Sequence, residues 1–501
     1  MPTCSLMQLP KRRHLAFGAA LGIALIPGPA LAHSFGEVFT LPMPFWLYGW
    51  GSAAALILSF LLIALSAGNA LPATSTGRDL SQHRSVRLMR KLHLKTLAQS
   101  LSVGALLLCI VSGLWGVRSP YGNFNMTFFW IVFLLGASYG SALFGNIYSV
   151  INPWFCLSAA INRFCRAFDR ARVKWPSWLG YWPALLLYGA LIWLELLGAS
   201  TPYALAVTLL AYSLLNLVAV AVFGSRNWFR YGEIFSVLFA LLSRLSPLEY
   251  IATDRGQAAK HTESGKLQLR WPLAHLTDLR VGHWSLLIFI LFMLSSTAFD
   301  GLHETTLWKQ WFWLDLYQNL LRDFSSSNPL AAFPQMRQWF VYWQGFWLFA
   351  SVTLYLLAYL LSLQLGKWLA NSSHSITELA LGFAPSLLPI ALAYHIAHYY
   401  TLIQTQGIKI ISLISDPLGR GDNIFGTANW LQRQFIPDAN TVWHVQLGSI
   451  LIGHVLGALV AHRLAQRLFE SERKVILSQL PMLALMVGLT TSGLWILSLP
   501  H

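Results

Sequence analysis

The sequence predicts an all-α polytopic membrane protein, with about ten transmembrane helices after a cleaved signal peptide. Of the 501 residues, 55% are hydrophobic and only 11% are charged, whereas soluble domains carry about 25% charged residues. Aromatic residues reach 14% and include 22 tryptophans, which are enriched at membrane interfaces. Ten apolar runs are long enough to cross a bilayer. This composition excludes soluble enzymes, disordered chains and small disulfide scaffolds.

Residues 1–32 have the pattern of a secretory signal peptide. A basic Lys-Arg-Arg segment precedes an apolar run over 15–26, and Ala-Leu-Ala at 30–32 fits a cleavage site. The apolar run is too short to span a bilayer. We therefore expect the mature chain, residues 33–501, to begin outside the cytoplasm and to form a single helical membrane domain. The alternative is an uncleaved signal anchor.

The basic residues predict the orientation of the spans. The ten apolar runs lie at about 44–68, 97–117, 127–150, 181–200, 203–223, 283–299, 339–366, 376–403, 441–466 and 475–498. With an external start, 24 of the 34 Lys and Arg residues fall on the cytoplasmic side and 7 on the outer side, as the positive-inside rule requires. We expect a bacterial inner-membrane protein with both mature termini in the periplasm. The net charge of +15 then reflects topology and a lipid partner, and indicates no nucleic acid.

Several segments between the runs are predicted not to span. The inner segment 224–282 contains an apolar stretch over 228–248, predicted as an amphipathic surface helix, and a polar loop over 252–281 without a recognisable motif. The predicted outer loops are 300–338 and 404–440. The first contains a Trp-rich stretch over 308–321 that is typical of an interfacial aromatic belt.

Histidines inside the predicted spans are the first candidate site residues, because ionisable groups in a bilayer are costly. His395 and His398 lie one helical turn apart on one face, where two imidazoles can bind one metal. His454 and His444 lie in the next-to-last run, at middle depth and near the outer surface. Each has an alternative role in helix–helix hydrogen bonding. For His462, beside a basic residue at a helix end, an interfacial position is favoured.

Acidic residues near the outer surface can complete a site. Asp300, at the end of the sixth run, is a candidate catalytic base or ligand, with a helix cap or solvated charge as the alternative. His303 and Glu304 are expected in the loop. The glycine-rich segment 415–422 either closes over the site or forms a turn with an internal pair between Asp416 and Arg420.

After cleavage, His33 would offer both an α-amine and an imidazole to a metal. Together with a further histidine, these donors form the chelate of histidine-brace copper sites. The predicted ligands are thus His395, His398, His454, His33 and His444. Imidazole ligands suit zinc, copper or iron, so the metal identity stays open.

Four stretches resemble the fenitrothion hydrolase family of integral membrane organophosphate hydrolases. They are His-Ser-Phe-Gly at 33–36 with LPMPFWLYGWG, Phe-Asp-Gly at 299–301, AYHIAHYY with SDPLGRGDNIFGTANW, and GHVLGALVAH. The resemblance implies hydrolysis of an apolar phosphotriester. A metal would lower the pKa of bound water and polarise the phosphoryl oxygen, and a carboxylate such as Asp300 would act as base.

Two other functions compete with hydrolysis. A copper- or haem-binding redox protein would use His395 or His398 opposite His454 as axial ligands. A metal or small-molecule transporter would continue a histidine pathway to the inner side, which gives His462 a role. The outer location of most candidate ligands and the absence of an internal repeat disfavour transport.

Overall fold

The computed structural model describes residues 45–66, 77–198, 201–251, 266–271, 273–326, 328–430 and 438–499. The predicted signal peptide, its cleavage site and His33 lie outside these ranges. Within the described ranges, ten helices are long and apolar enough to cross a membrane. This confirms the predicted fold class of an all-α, multi-pass membrane protein.

The ten spanning helices are named α1 to α10 in chain order. They are α1 Phe45–Leu65, α2 Leu94–Trp115, α3 Phe124–Phe144, α4 Ser177–Leu196, α5 Pro202–Phe223, α6 Trp284–His303, α7 Ala331–Leu369, α8 Ile376–Thr405, α9 Ala439–Leu468 and α10 Glu472–Ser498. The connections between them alternate between the two faces of the bundle. We call the face with the start of α1 and the end of α10 the terminal face, and the other the loop face.

Shorter elements fill the connections. On the loop face these are Arg84–Lys91, Tyr148–Ile151, Pro153–Phe164, Ser225–Asn227, Trp228–Gly232, Ile234–Leu242, Ser243–Leu245 and Ala274–Thr277, and on the terminal face Thr306–Gln310, Trp311–Leu321, Arg322–Phe324, Gly407–Lys409 and Ile410–Ser415. Three short strands, β1 Arg78–Asp79, β2 Leu248–Ile251 and β3 Lys266–Leu269, form an antiparallel sheet in the order β1-β3-β2.

The segment 228–248 is not the surface helix that the sequence predicts. Its helix Ile234–Leu242 has seven of nine residues buried, with Phe239 fully inaccessible. Glu233 caps the helix by accepting hydrogen bonds from the backbone N–H groups of Phe235 and Ser236. An apolar helix with almost no polar face gains more by packing inside the bundle than by lying on a surface. We call it the inserted helix.

Helices α8 and α9 pack closely because small residues face each other. A Cβ at Gly453 would stand 2.2 Å from the Cβ of Ala393, and one at Gly457 would stand 3.0 Å from the carbonyl oxygen of Ser386. Gly453 and Gly457 are four residues apart, which is the small-residue spacing of close helix contacts in membranes. This contact fixes the part of α8 that carries His395 and His398.

Two spans, α3 and α8, depart from regular α-helical geometry. In α3, residues Phe128–Leu135 are π-helical, a geometry often found at functional sites. In α8, a 3₁₀ turn over Ala384–Ser386 contains Pro385 and precedes Leu387–Thr405, because proline disrupts the α-helical hydrogen-bond pattern. The long helix that includes α7 begins at Pro329, so the connection after α6 is shorter than the predicted loop 300–338.

Candidate functional site

Three helices bring ionisable side chains together near the terminal face. Glu195 lies one residue before the end of α4, Asp300 three residues before the end of α6, and His398 seven residues before the end of α8. The helical rise places Asp300 about 5 Å and His398 about 10 Å from these ends. The cluster therefore lies in the half of the helix bundle that adjoins the terminal face.

Asp300 and His398 form the closest pair of the cluster. The Nε2 of His398 lies 2.7 Å from the Oδ2 of Asp300, the distance of a charge-assisted hydrogen bond. The Asp300 side chain is only 2% exposed, whereas that of His398 is 24% exposed. The sequence predicts both residues as site members. The structure brings them together, with the carboxylate buried and the imidazole partly exposed.

The contact with Asp300 engages only one of the two ring nitrogens of His398. Because Nε2 donates to Asp300, Nδ1 is available to accept a proton. A Cβ at Gly301 would stand 4.0 Å from this nitrogen, so the glycine leaves room beside it. A carboxylate that holds one nitrogen of an imidazole and exposes the other fits a general base or a metal ligand.

Tyr399 connects the pair to a second carboxyl group, on α4. Its hydroxyl lies 3.0 Å from the Oδ2 of Asp300 and 3.2 Å from the Oε1 of Glu195. The Tyr399 ring also contacts the imidazoles of both His395 and His398, with ring centroids 4.8 and 4.7 Å away. Tyr399 is therefore the centre of the cluster.

His303 is not the loop residue that the sequence predicts. It is the last residue of α6, is 3% exposed, and stacks on Phe299 with ring centroids 5.5 Å apart. Its Nδ1 lies 2.7 Å from the Asp300 carbonyl oxygen and its Nε2 lies 3.2 Å from Glu304. The helix extends to His303 because these contacts and the stacking bury the ring, and the residue places a second imidazole beside Asp300.

A cavity of about 30 Å³ adjoins the cluster, room for two or three waters at about 10–15 Å³ each. Its polar lining comprises Ser138, Tyr188, Glu195, Ser296, Thr297, Asp300, His395 and Tyr399. Leu238 and Leu242 of the inserted helix line the same cavity. The inserted helix therefore contributes to the wall of a small space between α3, α4, α6 and α8.

His395 lines this cavity, and its ring nitrogen contacts a different group from the one that contacts the ring nitrogen of His398. Its Nδ1 lies 3.1 Å from the hydroxyl of Tyr139 on α3, and the two rings meet edge to face. The two histidines are thus held by different partners, Tyr139 for His395 and Asp300 for His398.

The other predicted histidines lie apart from the cluster. In His454, Nδ1 lies 2.9 Å from the carbonyl oxygen of Ile450, and Nε2 lies 3.1 Å from the hydroxyl of Thr490. His444 is exposed, and its Nδ1 lies 2.7 Å from the carbonyl oxygen of Asn440. Both nitrogens of His454 are thus engaged, Nδ1 within α9 and Nε2 with α10, and the contact with α10 is the helix–helix role that the sequence left as its alternative.

The side chain of His462, for which the sequence favours an interfacial position, is buried against the neighbouring helix. Its side chain is 4% exposed, and its Nδ1 lies 3.2 Å from the side-chain nitrogen of Gln479 on α10. The neighbouring helix therefore supplies a hydrogen-bonding partner that replaces water.

The described residues do not form the predicted metal set. Among them, no group of three or more His, Cys, Asp and Glu side chains is arranged to hold a metal ion. His395 and His398 each have one nitrogen engaged, and His454 has both engaged. The remaining predicted ligand, His33, lies outside the described ranges.

The segment 415–422 is a turn docked on α2. Both carboxylate oxygens of Asp416 accept backbone hydrogen bonds, from Arg420 and Gly421. The Arg420 guanidinium donates to the carbonyl oxygen of Trp115, so it does not make the internal pair with Asp416 that the sequence predicts. The backbone N–H groups of the turn satisfy the aspartate instead.

Sequence analysis did not select Glu195 or Tyr399. Glu195 is the only Asp or Glu residue in the α4 sequence, and a lone carboxyl in a span is a functional candidate, so this signal was present. Tyr399 carries no such signal, because tyrosine is common in membrane helices. Its role emerges only from the packing of α4, α6 and α8.

The chain matches no protein-family model, no curated protein and no solved structure.

Proposed function

We propose that the protein is a membrane-embedded hydrolase of apolar phosphotriesters, and that Asp300 and His398 activate the attacking water. The observation that carries the proposal is the 2.7 Å contact between a buried carboxylate and a partly exposed imidazole. This pairing orients a general base and stabilises the imidazolium that forms when the base takes a proton. The resemblance to the fenitrothion hydrolase family supplies the substrate class.

The proposed reaction balances with these groups alone. The His398 Nδ1 takes one proton from water while the water oxygen bonds to phosphorus. Asp300 stays ionised and stabilises the imidazolium through its contact with Nε2. The bond from phosphorus to the aryloxy oxygen breaks, and the imidazolium returns its proton to the departing aryloxide. The products are a phosphodiester acid and a phenol.

The substrate is proposed to reach His398 from its exposed side. The cavity of about 30 Å³ accommodates water molecules and is too small for a triester. His398, with 24% of its side chain exposed, is the accessible member of the pair. An apolar triester partitions into the bilayer, so a site within about 10 Å of the helix ends receives it from the lipid.

The transition metal predicted from the sequence is zinc, copper or iron, and it remains a prediction. To bind this metal, His33 would be needed as a ligand in addition to the second ring nitrogens of His395 and His398. Metal analysis of protein purified in mild detergent measures it, with His395→Ala/His398→Ala as the comparison. The double variant should lose bound metal, and unchanged metal content would reject these ligands.

We further propose that the loop face is cytoplasmic, in a bacterial inner membrane, and that both mature termini are periplasmic. The excess of basic residues in the loop-face segments supports this orientation. A reporter that is active only in the periplasm should be active when it is fused after His501. Activity of a reporter that works only in the cytoplasm, fused at the same position, would reverse the assignment.

The experiment that tests the proposed activity is nitrophenol release from an aryl phosphotriester by membranes containing the protein. His398→Ala should lower the rate by about 10²- to 10⁴-fold, the usual contribution of a general base. The matched control is His374→Ala, because His374 precedes the loop-face end of the same helix and contacts the Leu468 carbonyl oxygen. Wild-type membranes without activity above control membranes, or equal rates in the two variants, would reject the proposal.

A further inference from the structure

Two carboxyl groups share one hydroxyl proton at the centre of the cluster. The Tyr399 oxygen lies 3.2 Å from Glu195 and 3.0 Å from Asp300. A tyrosine hydroxyl has one proton to donate and lone pairs that accept. If both carboxyl groups were ionised, one of them would face the hydroxyl oxygen without a full hydrogen bond. A proton on one carboxyl group makes both contacts complete hydrogen bonds.

The surroundings indicate which carboxyl group holds this proton. Asp300 Oδ2 faces two donors, the Nε2 of His398 and the hydroxyl of Tyr399, and His303 lies 3.8 Å from Oδ1. These donors favour the ionised form of Asp300. The hydroxyl of Tyr399 is the polar contact of Glu195, and this second carboxyl group is the one suited to carry a proton.

The groups that line the cavity around Glu195 offer no cation from Lys or Arg. The titratable ones are Tyr188 on α4, Asp300 on α6, and His395 and Tyr399 on α8. Helix α3 contributes Leu134 and Ser138, and the inserted helix contributes Leu238 and Leu242. A second negative charge in this lining would repel Asp300 in a low-dielectric environment.

We infer that Glu195 is a neutral carboxylic acid at neutral pH, donates its proton to the Tyr399 oxygen, and thereby directs the Tyr399 hydroxyl proton to Asp300. The resulting chain runs from Glu195 through Tyr399 to the Asp300 carboxylate, which also accepts from His398. Glu195 is therefore a proton-binding site and a positioning residue, since it acts on His398 only through two other side chains.

The consequence for His398 rests on the proposed hydrolytic function, whereas the protonation of Glu195 does not. With Asp300 ionised and accepting, the His398 proton stays on Nε2 and the lone pair stays on Nδ1. Glu195 thus maintains the tautomer that accepts a proton from water. It does so without contacting the reacting atoms.

Infrared spectroscopy of the full-length protein in lipid tests the protonation directly. A neutral carboxylic acid has a C=O stretching band that carboxylates lack and that shifts in D₂O. We expect this band in the wild-type protein at neutral pH and its loss in Glu195→Gln. The control Glu472→Gln, at an exposed carboxylate where α10 begins, should leave it unchanged. A wild type without the band, or Glu195→Gln with the full band, overturns the inference.

A second variant keeps the test decisive if Glu195→Gln does not fold. Tyr399→Phe retains the acid and removes the oxygen to which it donates. The band should then persist and move to higher frequency, because a carboxylic acid without an acceptor has a stiffer C=O bond. An unmoved band would show that Tyr399 is not the acceptor and would overturn the chain.

Nitrophenol release separates the positioning role from the protonation. Glutamine matches the shape of a neutral glutamic acid and keeps a donor, so Glu195→Gln should retain activity within several-fold. Glu195→Ala should fall by about 10-fold, as expected when one hydrogen bond worth about 1.4 kcal/mol is lost. A large loss in the glutamine variant would show that a negative Glu195 is required. A protein that shows the infrared band but never releases nitrophenol would reject only the hydrolase.

Discussion

Glu233 and Asp300 are both buried carboxylates in this bundle, yet their surroundings differ in kind. Glu233, near the loop face, accepts hydrogen bonds from the backbone N–H groups of Phe235 and Ser236 and from the hydroxyl of Tyr212. Asp300, near the terminal face, accepts from side chains of α8 beside a water-sized cavity. One carboxylate completes a helix end, whereas the other holds an imidazole that reaches the surface.

The comparison shows that burial of a carboxyl group does not identify a functional site. Glu233 fills its acceptor positions with two backbone N–H groups and with side-chain donors such as the Tyr212 hydroxyl, and leaves nothing for a ligand. A carboxylate paired with a partly exposed imidazole next to water retains the capacity to move a proton. The hydrogen-bonding partners of a buried carboxylate therefore distinguish a structural role from a functional one. Variants of Asp300 and Glu233 separate the two roles experimentally.

The largest expected effect is on the activity of Asp300→Asn. An asparagine cannot stabilise the imidazolium of His398 as a carboxylate does, so nitrophenol release should fall by about 10²-fold or more. The variant should remain folded, because the amide keeps the volume of the side chain and one acceptor oxygen. The rate per amount of folded protein measures this. A rate near that of the wild type would place Asp300 with Glu233, as a structural carboxylate.

Glu233→Ala should lower stability instead of activity. The change removes the cap of the inserted helix and leaves buried donors without an acceptor, which costs about 2 kcal/mol. We expect a lower unfolding midpoint in detergent and an unchanged rate per folded molecule. A rate loss as large as that of Asp300→Asn, at full stability, would remove the distinction between the two carboxylates.

Tyr139→Phe should have the smallest effect. It removes the hydroxyl 3.1 Å from the His395 Nδ1 and leaves the Asp300–His398 contact in place. The loss of one hydrogen bond is worth about 1 kcal/mol, so stability should fall slightly and activity by less than about 10-fold. If the rate fell as far as in His398→Ala, His395 would be the base instead of His398.

The sequence predicts the spans well and the site in part. The apolar runs locate all ten spanning helices of the described residues, because length and hydropathy suffice for a membrane helix. The spacing of His395 and His398, and the cost of charge at Asp300, select two members of the cluster, Asp300 and His398, and the neighbouring His395. Helical rise gives the depth of His454 but not its partners, so its contact with Thr490 was not predictable.

The position of the inserted helix and the contacts of Glu195 could not be predicted from sequence patterns. The apolar composition of 234–242 fits either a surface or a buried helix. Its packing against α3 and α4, which the sequence does not reveal, determines that it enters the bundle and lines the cavity. The approach of Glu195 to Asp300 likewise depends on how α4 is rotated against α6, which no single-helix pattern fixes.

The most direct measurement of the central claim is a double-mutant cycle on nitrophenol release, with Asp300→Asn, His398→Ala and the two changes combined. If the carboxylate acts only through the imidazole, the combined variant should be no slower than His398→Ala alone, because residues that act as a unit are strongly non-additive. Rate losses that multiply in the combined variant would show that Asp300 and His398 act independently, and would contradict the water-activating pair.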